Sequence, residues 1–436
     1  MKGDPIGAAA RLLARRLDEL GRVSDEDGRL MRTFLSPAMR RANRLVGGWM
    51  CEAGLTVRED EVGNLIGRLE ACRAGSPDPA DGRANGGLGR PRPATAAKTF
   101  LMGSHLDTVR NAGRFDGALG VLLPILALAE LRRRGVELPF AVEVLGFSEE
   151  EAVRFPGAYI GSKAFCGRLG AAGLTSRDAD GKTLREVIEA HAGRKFSRPK
   201  PAHSPGNLIG YLETHIEQGP VLEAEGLAVG VVSGIASQTR GRLVWRGKAG
   251  HAGTTPMRLR RDALAGLAEF VLFAEKFARA RKGLVATVGT VQVPAGAANV
   301  IPGEAVASLD VRHATDGTCR KAVQRLVAEA KRIARRRGLA CEWRETMRHG
   351  ATPCSRELTA LLGRSVKAVQ GRNLALVSGA GHDAVVMAQL TPVAMLFVRC
   401  RDGLSHHPDE HATVADLETA LRVTIDFLER LARTAV

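Results

Sequence analysis

The stretch AVEVLGFSEEE, residues 141–151, sets a largely apolar run of seven residues directly before three carboxylates, Glu149, Glu150 and Glu151. A run of that length and composition suits a strand buried on both faces of a largely parallel sheet. The layout recurs three times: Thr99–Gly103 precedes His105, Leu208–Leu212 precedes His215, and Val393–Val398 precedes His406. In open α/β sheets, ligands gather beyond the carboxyl ends of the strands. Four strands ending in His or Glu therefore predict an α/β domain whose chemistry lies along one sheet edge.

Working outward, Ser36-Pro37 predicts an N-cap and a Pro at N1, opening a helix that stops at Gly54. Leu55–Leu69 alternates as strands do, with a turn over Glu61–Asn64. Residues 71–97 are rich in Ala, Gly, Pro and Arg, cannot bury a core face, and predict a flexible surface insertion. From about Ile235 to Met347 the layout changes. Strand Arg242–Lys248, helix Arg261–Arg281, strands Leu284–Val293 and Glu304–Arg312, helix Gly317–Arg337 and strand Ala340–Met347 follow in turn. The order βαββαβ is the ferredoxin-like αβ sandwich. The expected organisation is a catalytic domain over 1–234, resumed over 349–436 and closed by a helix from Val414 to Arg433, with 235–348 inserted as a second domain.

The chain has 436 residues, beyond the size at which one core stops growing, which also predicts two domains. Hydrophobic residues at 44% and charged residues at 25% exclude wholesale disorder. The longest apolar run, Val121–Ala129, is too short to cross a bilayer and contains Pro124. Asp4, Arg11, Arg15 and Arg16 interrupt any secretory leader. Seven cysteines, odd in number and never spaced C-x-x-C, suit a reducing cytoplasm and point away from a cysteine zinc site. A cytoplasmic protein with no membrane partner is expected. The net charge of +16 comes mostly from Arg read as spread over the whole length, while aromatics are 4%. Few stacking platforms are available for a nucleic acid. The expectation is a solvated basic surface with weak attraction for anionic substrates, and no nucleic-acid partner.

Five fragments carry the chemistry. In GSHLDTV (103–109), His105 can bind a metal through one ring nitrogen while Asp107 holds the other ring N–H. In RFDGA (114–118), Asp116 is either a ligand or a helix N-cap. Of Glu149–Glu151, one can be a metal ligand and its neighbour a general base; the competing reading is a solvated acidic run. THIEQG (214–219) and GLSHHPDE (403–410) add His215 and His406, each of which alone could be an ordinary core or surface residue. Five such fragments, each at a strand end, favour a shared site.

The combined set GSHLDTV, RFDGALG, FSEEEAVRF, THIEQGP, GHAGTTPM, ANVIPG, DVRH, SGAGHDA and GLSHHPDE resembles the hydantoinase/carbamoylase branch of the M20 metallopeptidase-like family. That branch contains allantoate amidohydrolases, N-carbamoyl-L-amino-acid hydrolases and β-ureidopropionases. The resemblance runs from about residue 10 to the C-terminus, apart from the 71–97 insertion. It implies a phosphorylase/hydrolase-like catalytic domain carrying an inserted lid and dimerisation domain, and so a homodimer. It also implies a di-metal site, with His105 and His215 on one ion, Glu151 and His406 on the other, and Asp116 bridging. Glu150 matches the general base. His251, Asn299 and Arg312 match residues that the lid presents to substrate, and Gln218 and Gly381 match positions lining the same pocket. The chain departs from the family pattern at Ala152, where Gly is usual, and at Pro124, predicted to kink a helix near the site.

Three imidazoles and two carboxylates without thiolates suit two divalent ions, Zn²⁺ or Mn²⁺, with Co²⁺ or Ni²⁺ as alternatives. The expected reaction is hydrolysis of the ureido C–N bond of a small carboxylate. The segments FLSPAMRRANRLVGGWM (34–50) and VREDEVGNLIGR (57–68) look closest to sequences that cleave allantoate. N-carbamoyl-L-amino acids and the β-ureidopropionase substrate are the alternatives. The competing class is a catalytically inactive dimeric binding protein on the same fold; the complete ligand set and Glu150 favour the enzyme.

Overall fold

The computed structural model describes residues 4–72, 97–197 and 199–434. Apart from its ends, the expected insertion at 71–97 lies outside the described residues. The chain divides into two compact units, one formed by Met1–Ser233, Cys354–Leu376 and His382–Val436, the other by Gly234–Pro353 and Val377–Gly381.

In the larger unit, strands run in the order Thr56–Glu59, Leu65–Leu69, Ala141–Phe147, Thr99–His105, Leu208–Ile216, Val393–Val398, Val229–Ile235. The four central strands, each expected from its apolar run, are mutually parallel. The margins are antiparallel. The Thr56–Glu59 and Leu65–Leu69 pair is joined by a turn too short for a parallel crossover, so it must fold back as a hairpin. The strand Leu208–Ile216 continues past the expected Leu212, so His215 is a buried strand residue rather than part of the following loop.

Helix Ala118–Arg133 is buried on nearly every side, as an all-round apolar helix must be. It runs unbroken through Pro124. Helix Pro37–Glu52 begins as its sequence requires: the Ser36 hydroxyl accepts the Met39 N–H at 3.1 Å, and Pro37 contributes no unpaired donor. Gly54 follows it with φ +84°, a conformation that suits glycine.

The smaller unit has the strand order expected of a ferredoxin-like sandwich. Ser237–Arg246 lies between Glu304–His313 and Ala340–His349, all antiparallel, with helices Ala263–Arg279 and Asp316–Arg336. Trp245, Phe270, Leu309 and Leu326 are fully buried in its core. The expected strand over 284–293 is broken into Val285–Thr287 and Val291–Gln292, both paired with Glu304–His313. Between them the Ser308 side chain accepts the Thr290 N–H at 2.9 Å, replacing a ladder bond. Most of the chain's surplus positive charge lies between Gly234 and Pro353 rather than evenly along the sequence. No helix among the described residues is long and apolar enough to cross a membrane, and all seven cysteines are free thiols.

Candidate active site

The larger unit brings its His, Asp and Glu residues to the carboxyl ends of its parallel strands. His105 closes Thr99–His105, the Glu149–Glu151 loop follows Ala141–Phe147, and His215 is the penultimate residue of Leu208–Ile216. His406 comes from the loop beyond Val393–Val398, and Asp116 from the turn before helix Ala118–Arg133. Gly117 makes the close approach possible. Its φ is +65°, and a Cβ there would stand 2.4 Å from the His105 ring.

Asp116 is the hub. Its Oδ1 lies 3.0 Å from His215 Nε2 and 3.5 Å from His105 Nε2, while Oδ2 lies 3.3 Å from His406 Nε2. Glu151 Oε1 lies 3.5 Å from the same nitrogen of His406. Three donor groups result: His105–Asp116–His215 and Asp116–Glu151–His406, which share Asp116, and His105–Glu150–Glu151, which joins one residue of each to Glu150. The N-cap alternative for Asp116 is not adopted, because its side chain is spent on imidazoles. His105 Nδ1 sits 3.0 Å from the Asp107 carbonyl and His215 Nδ1 2.9 Å from the Ile216 carbonyl. Each Nδ1–H is thereby placed as a donor to a carbonyl, so that Nε2, on the Asp116 side, is the nitrogen able to offer its electron pair to a cation once its proton is displaced.

The electrostatics point the same way. Burial raises the Asp116 carboxyl, yet His215, His105 and His406 hold it well below the usual carboxylate range. Burial lowers His105, yet Asp107 and Asp116 hold it well above an ordinary imidazole. His406 is pushed up to about 9, chiefly by its hydrogen bond to Asp116. A buried knot of carboxylates and imidazoles calls for positive charge, and this thiolate-free donor set fits two divalent cations.

The Glu149–Glu151 loop is held by carboxylates facing backbone N–H groups. Asp107, expected to hold the His105 ring, touches it mainly through its carbonyl. Its carboxylate lies 3.5 Å from the ring nitrogen and accepts the N–H groups of Glu150 and Glu151, each at 3.0 Å. Glu149 turns away from the site and accepts the N–H groups of Phe34, Arg154 and Phe155. Burial, with the Asp107 charge, pushes Glu149 up to about 7. Glu149 and Ala152 are both left-handed, at φ +50° and +55°. The departure at Ala152 therefore falls where glycine would be at ease. Glu150, 8% exposed, is pushed well above the usual carboxylate range by burial and by the Glu151, Asp383 and Asp107 carboxylates.

In the smaller unit, the Arg312 guanidinium grips Asp310 through Nε (2.9 Å) and Nη2 (3.0 Å), and its Nη1 donates to the Gly379 carbonyl. The fork expected to be free for substrate is thus engaged at all three nitrogens, by Asp310 on the Nε–Nη2 edge and by Gly379 at Nη1. Gly381 lies two residues beyond Gly379. His251 and Asn299 come from facing arms of one ribbon, where Ala252 N–H donates to the Asn299 carbonyl at 2.9 Å.

Residues 101–430 match the profile described as Peptidase family M20/M25/M40. The chain belongs to this family. It is 38% identical to a protein named probable allantoate deiminase from Oryza sativa subsp. japonica, over 95% of this chain and 87% of that one. It is 37% identical to an N-carbamoyl-L-amino acid amidohydrolase from Geobacillus stearothermophilus, over 97% and 98% of the two chains. Among solved structures, a hydantoinase/carbamoylase family amidase from Burkholderia multivorans superposes with a TM-score of 0.85 at 32% identity, covering 97% of each chain.

Three supporting residues of this M20 site went unassigned in the sequence. Glu410 Oε1 accepts the N–H groups of Phe115 (2.9 Å) and Asp116 (3.0 Å), fixing the backbone of the hub. The Ser405 hydroxyl donates to Asp116 Oδ2 at 2.9 Å. Both stand in GLSHHPDE, so the motif held them without marking their roles. Glu213, mid-strand with no polar neighbour in sequence to flag it except Thr214, accepts Ser104 Oγ and the Ala384 N–H, both at 2.8 Å. Gln218, at φ +55°, donates from Nε2 to Asp116 Oδ2 (3.0 Å) and Ser405 Oγ (3.1 Å). Its buried Oε1 has no partner among the described residues.

Proposed function

We propose that this M20 member hydrolyses the ureido C–N bond of a small carboxylate substrate, with allantoate the first candidate. The observation that carries the proposal is the division of Asp116, whose two oxygens face two separate sets of imidazole and carboxylate donors. His105 and His215 would hold one divalent cation and Glu151 and His406 the other, with Asp116 available to both. Zn²⁺ or Mn²⁺ suits these donors first, Co²⁺ or Ni²⁺ second. Bound there, the cations supply Lewis acidity to the ureido carbonyl and to water.

The remaining work falls to the chain. Glu150 takes the proton of the attacking water and delivers it to the leaving nitrogen. The Gln218 amide is oriented by Asp116, because only its NH₂ end can face a carboxylate, and its unpartnered, buried Oε1 becomes an acceptor for a ureido N–H only if the side chain turns toward substrate. The smaller unit serves as the lid and dimerisation domain. His251, Asn299 and Gly381 contact substrate, and the Nη edge of Arg312 receives its carboxylate while Asp310 braces the other edge. Val285 and Val291 on the broken edge strand are about half exposed, and Leu272 on the neighbouring helix is 68% exposed. These side chains suit burial against a second copy. The free thiols suit a cytoplasmic setting.

Four relatives named allantoate deiminase, from rice, soybean and Arabidopsis, at 36–38% identity support allantoate. The Geobacillus relative, at 37%, supports N-carbamoyl-L-amino acids as the second reading. Ammonia release should be measured with allantoate, N-carbamoyl-L-amino acids and N-carbamoyl-β-alanine after loading with Zn²⁺ or Mn²⁺, alongside metal analysis. Up to two equivalents per chain and turnover abolished reversibly by chelation are expected. Full turnover without metal, or none with any of the three substrates, would overturn the reading.

A further inference from the structure

We infer that the larger unit carries a second binding site, for a small organic anion, in a cavity of about 570 Å³ remote in sequence from every Asp116-centred donor except through Arg154. That volume falls within the roughly 300–1,000 Å³ typical of small-molecule pockets. Its polar side chains are Arg40, Arg154, Arg177, Lys182 and His191 against Asp180 and Glu186, a surplus of positive charge that remains after Arg154 is paired with Asp178. Leu35, Val187 and Ala190 complete the wall with apolar surface. The combination fits a carboxylate or phosphate ester carried on a short carbon body.

The cationic wall is built rather than loosely assembled. Asp178 organises it: one oxygen accepts the N–H groups of Asp180 (3.1 Å) and Lys182 (2.9 Å), and the other accepts Nε (3.2 Å) and Nη2 (3.1 Å) of Arg154. Arg154 Nη1 donates to the Phe34 carbonyl at 2.8 Å, which fixes the guanidinium on a third side. Arg177 is tied to the Gly181 carbonyl at 2.5 Å. Of the two lining acids, Glu186 is held in a capping box, where it accepts the Thr183 N–H at 2.7 Å and keeps its charge. Arg40 and Lys182 form no ion pair within 4 Å among the described residues, although the Glu59 carboxylate feels the Arg40 charge, so Lys182 is the cation most available to an arriving anion.

The cavity is also wired to the catalytic loop. The Arg154 N–H lies 2.8 Å from Glu149 Oε1, and the Phe34 N–H lies 3.2 Å from Glu149 Oε2. Glu149, Phe34 and Arg154 form a closed ring of hydrogen bonds directly before Glu150 and Glu151. An anion that draws on the Arg154 guanidinium competes with Asp178 and the Phe34 carbonyl for it, and so acts on the carboxylate that shapes this loop. The site is therefore a place for a small anionic metabolite to adjust the enzyme.

The test uses the full chain with succinate and inorganic phosphate as probes, read by calorimetry and by hydrogen exchange over residues 177–187. Neither readout needs turnover, so the outcome is independent of the ureido-hydrolase reading. Succinate should slow exchange in this segment, and phosphate, which lacks the carbon body, should bind more weakly. Arg177→Ala with Lys182→Ala should weaken succinate binding about tenfold, the loss of two exposed charge contacts. Asp180→Asn should strengthen it, a change of opposite sign at a neighbouring position. All three positions are exposed, and unchanged melting temperatures will establish that the variants fold. Equal succinate affinity in wild type and both variants, or the same protection from NaCl at matched ionic strength, would overturn the proposal.

Discussion

Asp107→Asn tests whether the catalytic loop is held from beneath. Asp107 is 1% exposed, and its two oxygens separately accept the N–H groups of Glu150 and Glu151 at 3.0 Å. Asparagine keeps the shape but turns one acceptor into an NH₂ group facing an N–H donor. One charge-assisted bond is lost, and one buried N–H is left unpaired. Hydrogen bonds to charged groups contribute about 1.5–3 kcal/mol. If that energy is expressed wholly as displacement of Glu150, kcat falls by about 10- to 150-fold at 1.36 kcal/mol per decade. Ammonia release at saturating substrate gives kcat, and metal analysis of the same samples separates loop displacement from loss of an ion at Glu151. The expected result is a kcat loss in that range with at least one metal equivalent retained. A kcat within twofold of wild type, with full metal content, would refute the argument that Asp107 positions the base.

Glu150→Gln should retain metal while kcat falls by about 10² to 10⁴-fold, the usual contribution of a general base; more than half of wild-type kcat would place the base elsewhere, and Glu149 is already committed to three backbone N–H groups. Arg312→Ala should lower kcat/KM for carboxylate substrates by roughly 30-fold to several thousand-fold, the equivalent of about 2–5 kcal/mol, with poor rescue by Lys. Equal damage with an uncharged amide analogue would make Arg312 structural. Ala152→Gly should raise stability by about 1 kcal/mol, read as Cm at unchanged m, by relieving a left-handed alanine. For the buried Glu143, burial raises the carboxyl, but His203 at 2.7 Å and Arg68 at 3.1 Å hold it below its ordinary value of 4.5. Its contribution to stability is present above pH 4.5 and is lost as pH falls through the depressed value. The melting-temperature gap between wild type and Glu143→Gln should therefore be widest near neutrality and close in acid; a gap independent of pH would remove the ionic explanation.

Local chemistry made much of this protein readable before any coordinates. Ser36 and Pro37 mark a helix start because an Oγ acceptor and a missing N–H answer the needs of the first turn. The four apolar runs mark buried strands because both faces of each are covered, and the βαββαβ order marks the smaller sandwich because period alone distinguishes its strands from its helices. The break in the edge strand had one local mark, Gly289, a residue that weakens a strand interior, but the Ser308 side chain that takes the Thr290 N–H comes from the neighbouring strand and was not readable.

The candidate site divides along the same line. His105, Glu151, His215 and His406 are visible in the chain because each motif follows an apolar strand run, and Asp116 because it stands at the mouth of an apolar helix. Their convergence on the two oxygens of Asp116 depends on a strand order that joins residues nearly three hundred positions apart, and no local pattern encodes that order. The same holds for Asp107 beneath the Glu150–Glu151 backbone, Glu410 behind Asp116, and Asp310 against Arg312. Residue type states which bonds a side chain is able to make. Which bond it does make is decided by the neighbours that packing delivers within about 3 Å, the range in which a hydrogen bond has its strength.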